Sequence, residues 1–146
     1  MTSAPEHVDV LIVGAGLSGI GAACQLREHL PTKSVAVLEA REASGGTWDL
    51  FKYPGIRSDS DMFTFGFGWR PWPGDKALAD GPMILDYLRT VAGEYGVDEL
   101  IRYRHRVNGA SWDSTTALWT VEIDHAGTPT RMTARFLWGC SGYYDY

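Results

Sequence analysis

Basic charge, thiols and long apolar runs are what this sequence is short of, and each shortage removes a class of function. Thirteen basic residues against eighteen acidic ones leave a net charge of −5, which argues against a nucleic-acid surface. The only cysteines are Cys24 and Cys140, with no short pairing motif between them. They read as reduced thiols of a cytoplasmic protein, not as a disulfide or a metal site. His7, His29, His105 and His125 are scattered without metal-ligand spacing. No apolar run approaches the ~20 residues that cross a bilayer. The opening "MTSAPEHVDV" has no basic region followed by an apolar stretch, so no secretory signal is expected. Repeats and low-complexity tracts are missing as well. What remains is 146 residues, 45% hydrophobic and 21% charged, which suits one soluble globular domain with a core of its own.

The apolar run "VDVLIV" at 8–13 has the character of a central parallel strand covered on both faces. From Leu17 to about His29 the period turns helical, with Ile20, Ala23, Cys24 and Leu26 on one face, and Pro31 forbids continuation. "SVAVLE" at 34–39 reads as a second strand, completing a βαβ unit. Residues 41–75 carry the turn signals "SGG", "YPG" and "PWPG". A connection of this length is usually functional or disordered, and its aromatic residues argue for order. They could line a cleft or plug a small core. Residues 81–96 form a second helix, with Ile84, Leu88, Val91 and Tyr95 as its apolar stripe. From Ile101 to Trp138 the period becomes two. "YRHRV", "ASWDS", "LWTVEID" and "TRMTARFLWG" predict short strands of a β-meander, and "RFLWGCSG" an apolar closing strand.

Chemistry enters with "GAGLSG", in which Gly14, Gly16 and Gly19 spell G-x-G-x-x-G. The first glycine permits the turn out of the strand, and the second lets a pyrophosphate approach the backbone. The third lets the helix pack close to the strand. The helix N-terminus then offers free N–H groups to phosphate. Alone the glycines are a weak signal, but they follow a strand, open a helix and precede Glu39, twenty residues beyond Gly19. A carboxylate there accepts hydrogen bonds from ribose hydroxyls and repels a 2′-phosphate. Dinucleotide binding is the reading. A plain NAD dehydrogenase would continue with alternating strands and helices, whereas this chain enters a long loop, one helix and a meander.

That order resembles the FAD domain of two-dinucleotide flavoproteins. "GGTW" followed by "YPGIRSD", within "SGGTWDLFKYPGIRSDSDMFTF", is similar to flavoprotein monooxygenases of the Baeyer–Villiger type, and within them to the mycobacterial ethionamide-activating branch. The likeness covers essentially the whole chain. It implies an α/β fold: a Rossmann-like FAD-binding domain with a parallel sheet and an inserted antiparallel meander. It also implies FAD and NADPH as cofactors, and a whole enzyme that oxygenates ketones, or sulfur compounds such as thioethers and thioamides, with O₂ through a flavin peroxide. A disulfide reductase is the other flavoprotein reading, and it would need a cysteine pair where none stands between residues 25 and 139.

The same resemblance assigns roles. Gly14, Gly16, Ser18 and Gly19 would cradle the FAD pyrophosphate and Glu39 the adenosine ribose. Thr47, Trp48, Asp49 and Leu50 would run along the ribityl chain and the isoalloxazine edge. Arg57, Ser58 and Asp59 would face flavin and nicotinamide, with Asp59 the catalytic candidate that pairs with an arginine from elsewhere. Val107 would meet adenine through its backbone. Members of the family are several times longer and carry a second glycine fingerprint for NADPH. Residues 1–146 are therefore expected to be a partial FAD-binding domain, comprising a flavin-contacting loop (41–75), a helix (81–96), and a meander with return strand (101–138). By itself the chain is expected not to turn over. The alternative is a binding module without catalysis. Trp48, Phe51, Phe63 and Phe65 are expected on an exposed interface that promotes self-association. Peripheral contact with a membrane surface is compatible with this reading.

Overall fold

The computed structural model describes residues 4–146. Strand β1 (Glu6–Val13) is followed by helix α1 (Leu17–His29) and strand β2 (Val35–Leu38). One-turn helices α2 (Thr47–Leu50) and α3 (Met62–Phe65) come next, then the long helix α4 (Gly81–Glu94). Strands β3 (Ile101–Arg102), β4 (His105–Asp113), β5 (Leu118–His125) and β6 (Thr128–Gly139) complete the chain. They form one six-stranded sheet in the order β3-β2-β1-β6-β5-β4. Strands β3, β2, β1 and β6 run parallel, while β6, β5 and β4 are antiparallel. β6 therefore belongs to both halves, and it is long for a strand because it serves two partners at once.

Two apolar clusters flank the parallel strands. On one side Val10, Ile12 and Val37 pack with Ile20, Ala23 and Cys24 of α1 and with Ile84, Leu88 and Val91 of α4. In the other, Leu11 and Leu38 join Val121, Ile123, Met132 and Ala134 of the meander. The result is helices, parallel sheet and meander in three layers. Burial on both sides explains why β1 reads as an unbroken apolar run rather than an alternating one. The middle of α1 is buried from Gly19 to Cys24, and its small residues admit close neighbours: a Cβ on Gly21 would meet the Phe67 ring at 2.8 Å.

The expected α/β class with a βαβ unit and a meander is what the structure shows. Differences lie in the details. "YRHRV" and "ASWDS" are not separate strands. They join in β4, where a register shift between Val107 and Gly109 absorbs the extra residue as a bulge. β3 pairs with β2 and stands outside the meander. The 41–75 connection is ordered by its own backbone. Ser58 N–H donates to Ala79 O at 2.9 Å, Met62 N–H to Ala77 O at 2.7 Å and Gly81 N–H to Ile56 O at 2.9 Å.

Most of its aromatic residues plug rather than line. Phe65, Phe67 and Trp69 pack against the helical core, and Trp72 is buried within it. The Tyr87 hydroxyl, from α4, accepts from Phe67 N–H and donates to Arg70 O. Arg70 also grips Glu94 through two hydrogen bonds, at 2.7 and 2.8 Å. Of the four aromatics expected to be exposed, Trp48, Phe51 and Phe65 are half-buried and Phe63 is exposed. Two further exposed rings stand on β6, where Phe136 is 68% and Trp138 47% exposed. They sit in register with Val10 and Ile12 of β1, yet the helical layer covers β1 and leaves β6 bare.

Candidate functional site

A cleft of about 500 Å³ opens where β1 and β2 end, the place where a parallel α/β sheet receives ligands. Its wall is built from Val13, Gly14 and Gly16–Ser18, from Leu38–Arg41, from Gly45–Trp48, from His105–Val107 and from the segment after β6, beginning at Cys140. Among the residues singled out from sequence, Gly14, Gly16, Ser18, Glu39, Thr47, Trp48 and Val107 line it.

The three glycines are glycine for different reasons. Gly14 has φ +104°, and a Cβ there would run into the Cys140 carbonyl, so the crossing of β6 allows nothing larger. A Cβ on Gly19 would strike the Gly14 carbonyl, which is the close helix–strand contact expected of the third glycine. Gly16 is unlike both. Its φ is an ordinary −83°, and an added Cβ would meet no protein atom closer than Gly46 Cα at 3.6 Å. Packing does not demand glycine there. The residue lines the cleft, and the space beside it suits a ligand backbone or phosphate.

Gly16 is also the N-cap of α1, which has no side-chain cap and no acidic residue in its first turn. Its free amides and dipole favour an anion. Glu39 stands opposite, only 8% exposed. Ala15 N–H donates to Oε2 and Arg41 N–H to Oε1, both at 2.9 Å. Its backbone is locked too: Glu39 N–H donates to Arg102 O, and His105 N–H donates to Glu39 O. Each carboxylate oxygen thus has one fixed amide donor and spare acceptor capacity towards the cleft. The arrangement sets a phosphate-compatible helix end beside an acceptor suited to hydroxyl groups.

The remaining residues are placed differently. Asp49 is buried in two ion pairs and lies outside the cleft wall with Leu50. Arg57, Ser58 and Asp59 are in the long loop, also away from the cleft wall. Ser58 is buried, and its Oγ accepts from Ala79 N–H at 3.1 Å, so it braces the loop. Arg57 and Asp59 are exposed. Sequence reasoning did not single out Arg41, His105, Arg106 or Cys140–Gly142, all of which line the cleft. The glycine of "CSG", with φ +74°, was the available signal for a turn beside Gly14. Burial pushes the Cys140 thiol up and that of Cys24 up to about 12, so both stay protonated at neutral pH and offer no thiolate chemistry. No group of three or more metal-ligating side chains occurs among the described residues, and no helix there is long and apolar enough to cross a membrane.

Comparison with known proteins points to the same fold class. The family model of the NAD(P)-binding Rossmann-like domain matches residues 12–77. The FAD-containing monooxygenase EthA of Mycobacterium tuberculosis is 56% identical over 141 residues, which cover 97% of this chain and 29% of EthA. Among solved structures, a steroid monooxygenase bound to NADP superposes with a TM-score of 0.83 at 32% identity, over 93% of this chain and 26% of its own. OTEMO in complex with FAD and NADP gives a TM-score of 0.84 at 30% identity, over 98% and 27% respectively. The chain spans less than a third of the curated relatives it matches.

Proposed function

We propose, from the premise that this chain is homologous to the N-terminal part of FAD-containing monooxygenases, that its cleft binds FAD and that the whole protein is an NADPH-dependent monooxygenase. The observation that carries the FAD reading is Gly16, a glycine that packing does not require, in the wall of the cleft and at the uncapped start of α1. The amides of Gly16–Ser18 would hold the pyrophosphate, with Gly14 and Gly19 fixing the turn that presents them. Glu39 would accept from the adenosine ribose hydroxyls, and the β4 wall at His105–Val107 would face the adenine. Thr47 and Trp48, with the segment from Cys140, would border the flavin end. Bound FAD supplies the redox chemistry of oxygenation.

This chain's own residues bind and orient. Glu39, acceptor-only when ionised, selects a free ribose and disfavours a 2′-phosphate through charge repulsion. That steers the nicotinamide cofactor NADPH to another part of the protein. Arg57 and Asp59, exposed on the loop beyond the cleft wall, are proposed to meet that part, Asp59 by pairing with an arginine through a charge-assisted bond. A ketone or a sulfur compound is the proposed substrate class, on the likeness of "GGTW" and "YPGIRSD" to the Baeyer–Villiger monooxygenases. Purified protein, denatured and examined by absorption spectroscopy, is expected to release flavin. A properly folded preparation that releases none and takes up none on titration would overturn the assignment.

A further inference from the structure

Asp49 carries an arrangement that the cleft does not explain. It is buried, and each carboxylate oxygen is taken by a different arginine: Oδ2 accepts from Arg41 Nη2 and Oδ1 from Arg89 Nη2, both at 2.8 Å. Arg41 follows β2, whereas Arg89 comes from α4. The same Arg89 nitrogen donates to Ser44 O at 2.9 Å, and Arg41 Nη1 reaches Gly46 O at 3.4 Å. The turn at Ser44–Gly46 is therefore gripped from two elements at once. Its fit is close. A Cβ on Gly45 would run into the Leu85 side chain of α4, and one on Gly46 would lie 3.0 Å from Gly16 Cα. Gly45 N–H also donates to Ala15 O at 2.9 Å.

We infer that Asp49 and Arg89 are positioning residues, which hold the Gly45–Gly46 turn against Gly16 and so set the width of the cleft without touching its ligand. Neither side chain lines the cleft. The inference rests on the FAD reading for its ligand. Geometry is one of two ways the cluster could act, and charge is the other. Two arginines and one aspartate leave one net positive charge beside the α1 N-terminus, which would attract a pyrophosphate at long range.

The two effects predict different signs. Arg89→Met removes a positive charge, whereas Asp49→Asn removes a negative one at nearly constant size. If charge dominates, the first variant binds FAD more weakly and the second more tightly. If positioning dominates, both bind more weakly, by about tenfold, the lower end of what displaced supporting hydrogen bonds cost. The double variant then falls within about twofold of the weaker single one, because both break the same unit.

The experiment is fluorescence titration of apoprotein with FAD at fixed ionic strength, alongside amide hydrogen exchange of Gly45–Leu50 without FAD. Positioning is expected to show as loss in both variants and faster exchange in the turn. Arg89→Lys keeps the charge but not the fork of donors, so it should fall between wild type and Arg89→Met. It also serves if the methionine variant does not fold. Tighter or unchanged FAD binding by Asp49→Asn, or unchanged exchange in the turn, overturns the inference. If wild type takes no FAD, the proposed function fails, and the exchange data alone then decide whether the turn is held by the arginines.

Discussion

At the scale of single residues, the same motif holds glycines of two kinds. Gly14 and Gly19 answer to protein atoms that a side chain would strike, while Gly16 answers to space. Gly16→Val should therefore abolish FAD binding while thermal stability changes little, a combination that titration and a melting curve can check together. The same substitution at Gly19 should unfold the domain, because the obstruction there is the Gly14 carbonyl. Glu39→Ala should weaken FAD binding by roughly 1–3 kcal/mol through lost ribose hydrogen bonds. Melting should also register it, since the Ala15 and Arg41 amides lose their acceptor. An alanine variant with unchanged FAD affinity would remove Glu39 from the ribose. Glu39 and the glycines were legible because their spacing is local and repeats a known physical solution. Asp49 was not. Its partners lie 8 and 40 residues away, and only the packing of α4 on the turn brings them together.

Elements divide in the same way. β1, α1 and α4 announced themselves by period and by proline or glycine at their ends, and their observed bounds agree to within a few residues. β4 was misread as two strands because Asn108 and Gly109 look like a break, whereas a bulge keeps the ladder whole. The aromatic loop was undecidable in sequence, since rings that line a cleft and rings that fill a core look alike. Here the Tyr87 hydroxyl decides it by pinning Phe67 and Arg70 to α4. Tyr87→Phe should lower stability by about 1–3 kcal/mol, the cost of leaving partly buried groups unpaired, with FAD affinity retained. Chemical denaturation followed by titration tests both halves of that statement. β6 gives the opposite surprise, an apolar strand with its rings left bare. Replacing Phe136 and Trp138 with Thr should leave the folded state intact in a melting curve, because β-branched polar residues suit an exposed strand.

Across the whole molecule, the shifted carboxylates all move one way. Arg102 holds the Glu6 carboxyl below its ordinary value of 4.5, and Arg70 does the same for Glu94. Asp9, Asp61 and Asp113 are lowered by hydrogen bonds from Ser34, Thr64 and Thr115. A depressed carboxylate stabilises the fold above its unfolded pKa, and that contribution is lost as pH falls through the folded value. Stability should accordingly be level from neutral pH down to about 5 and decline below it. Each contribution is small because these groups are exposed to solvent screening. In Arg102→Met the decline should be shallower. A melting temperature that rises on acidification from pH 5 to pH 3 would contradict the sign for the whole set.

β6 lies beside β1 in space but far from it along the chain, with His7 and Thr133 hydrogen bonded across 126 positions. During synthesis, β1, α1 and β2 emerge with one flank of the central strand unpaired, and its partner on that flank, Thr128–Gly139, follows only after β3, β4 and β5. A nascent chain holding only the βαβ unit thus displays an open apolar edge to the ribosome surface and to chaperones. Closing so long a loop delays the native pairing, and parallel contacts of this span are intrinsically slow to form. Docking of β6 thereby also shapes the cleft: until it pairs with β1, Gly14 has no Cys140 carbonyl above it and the glycine turn stands open on that side.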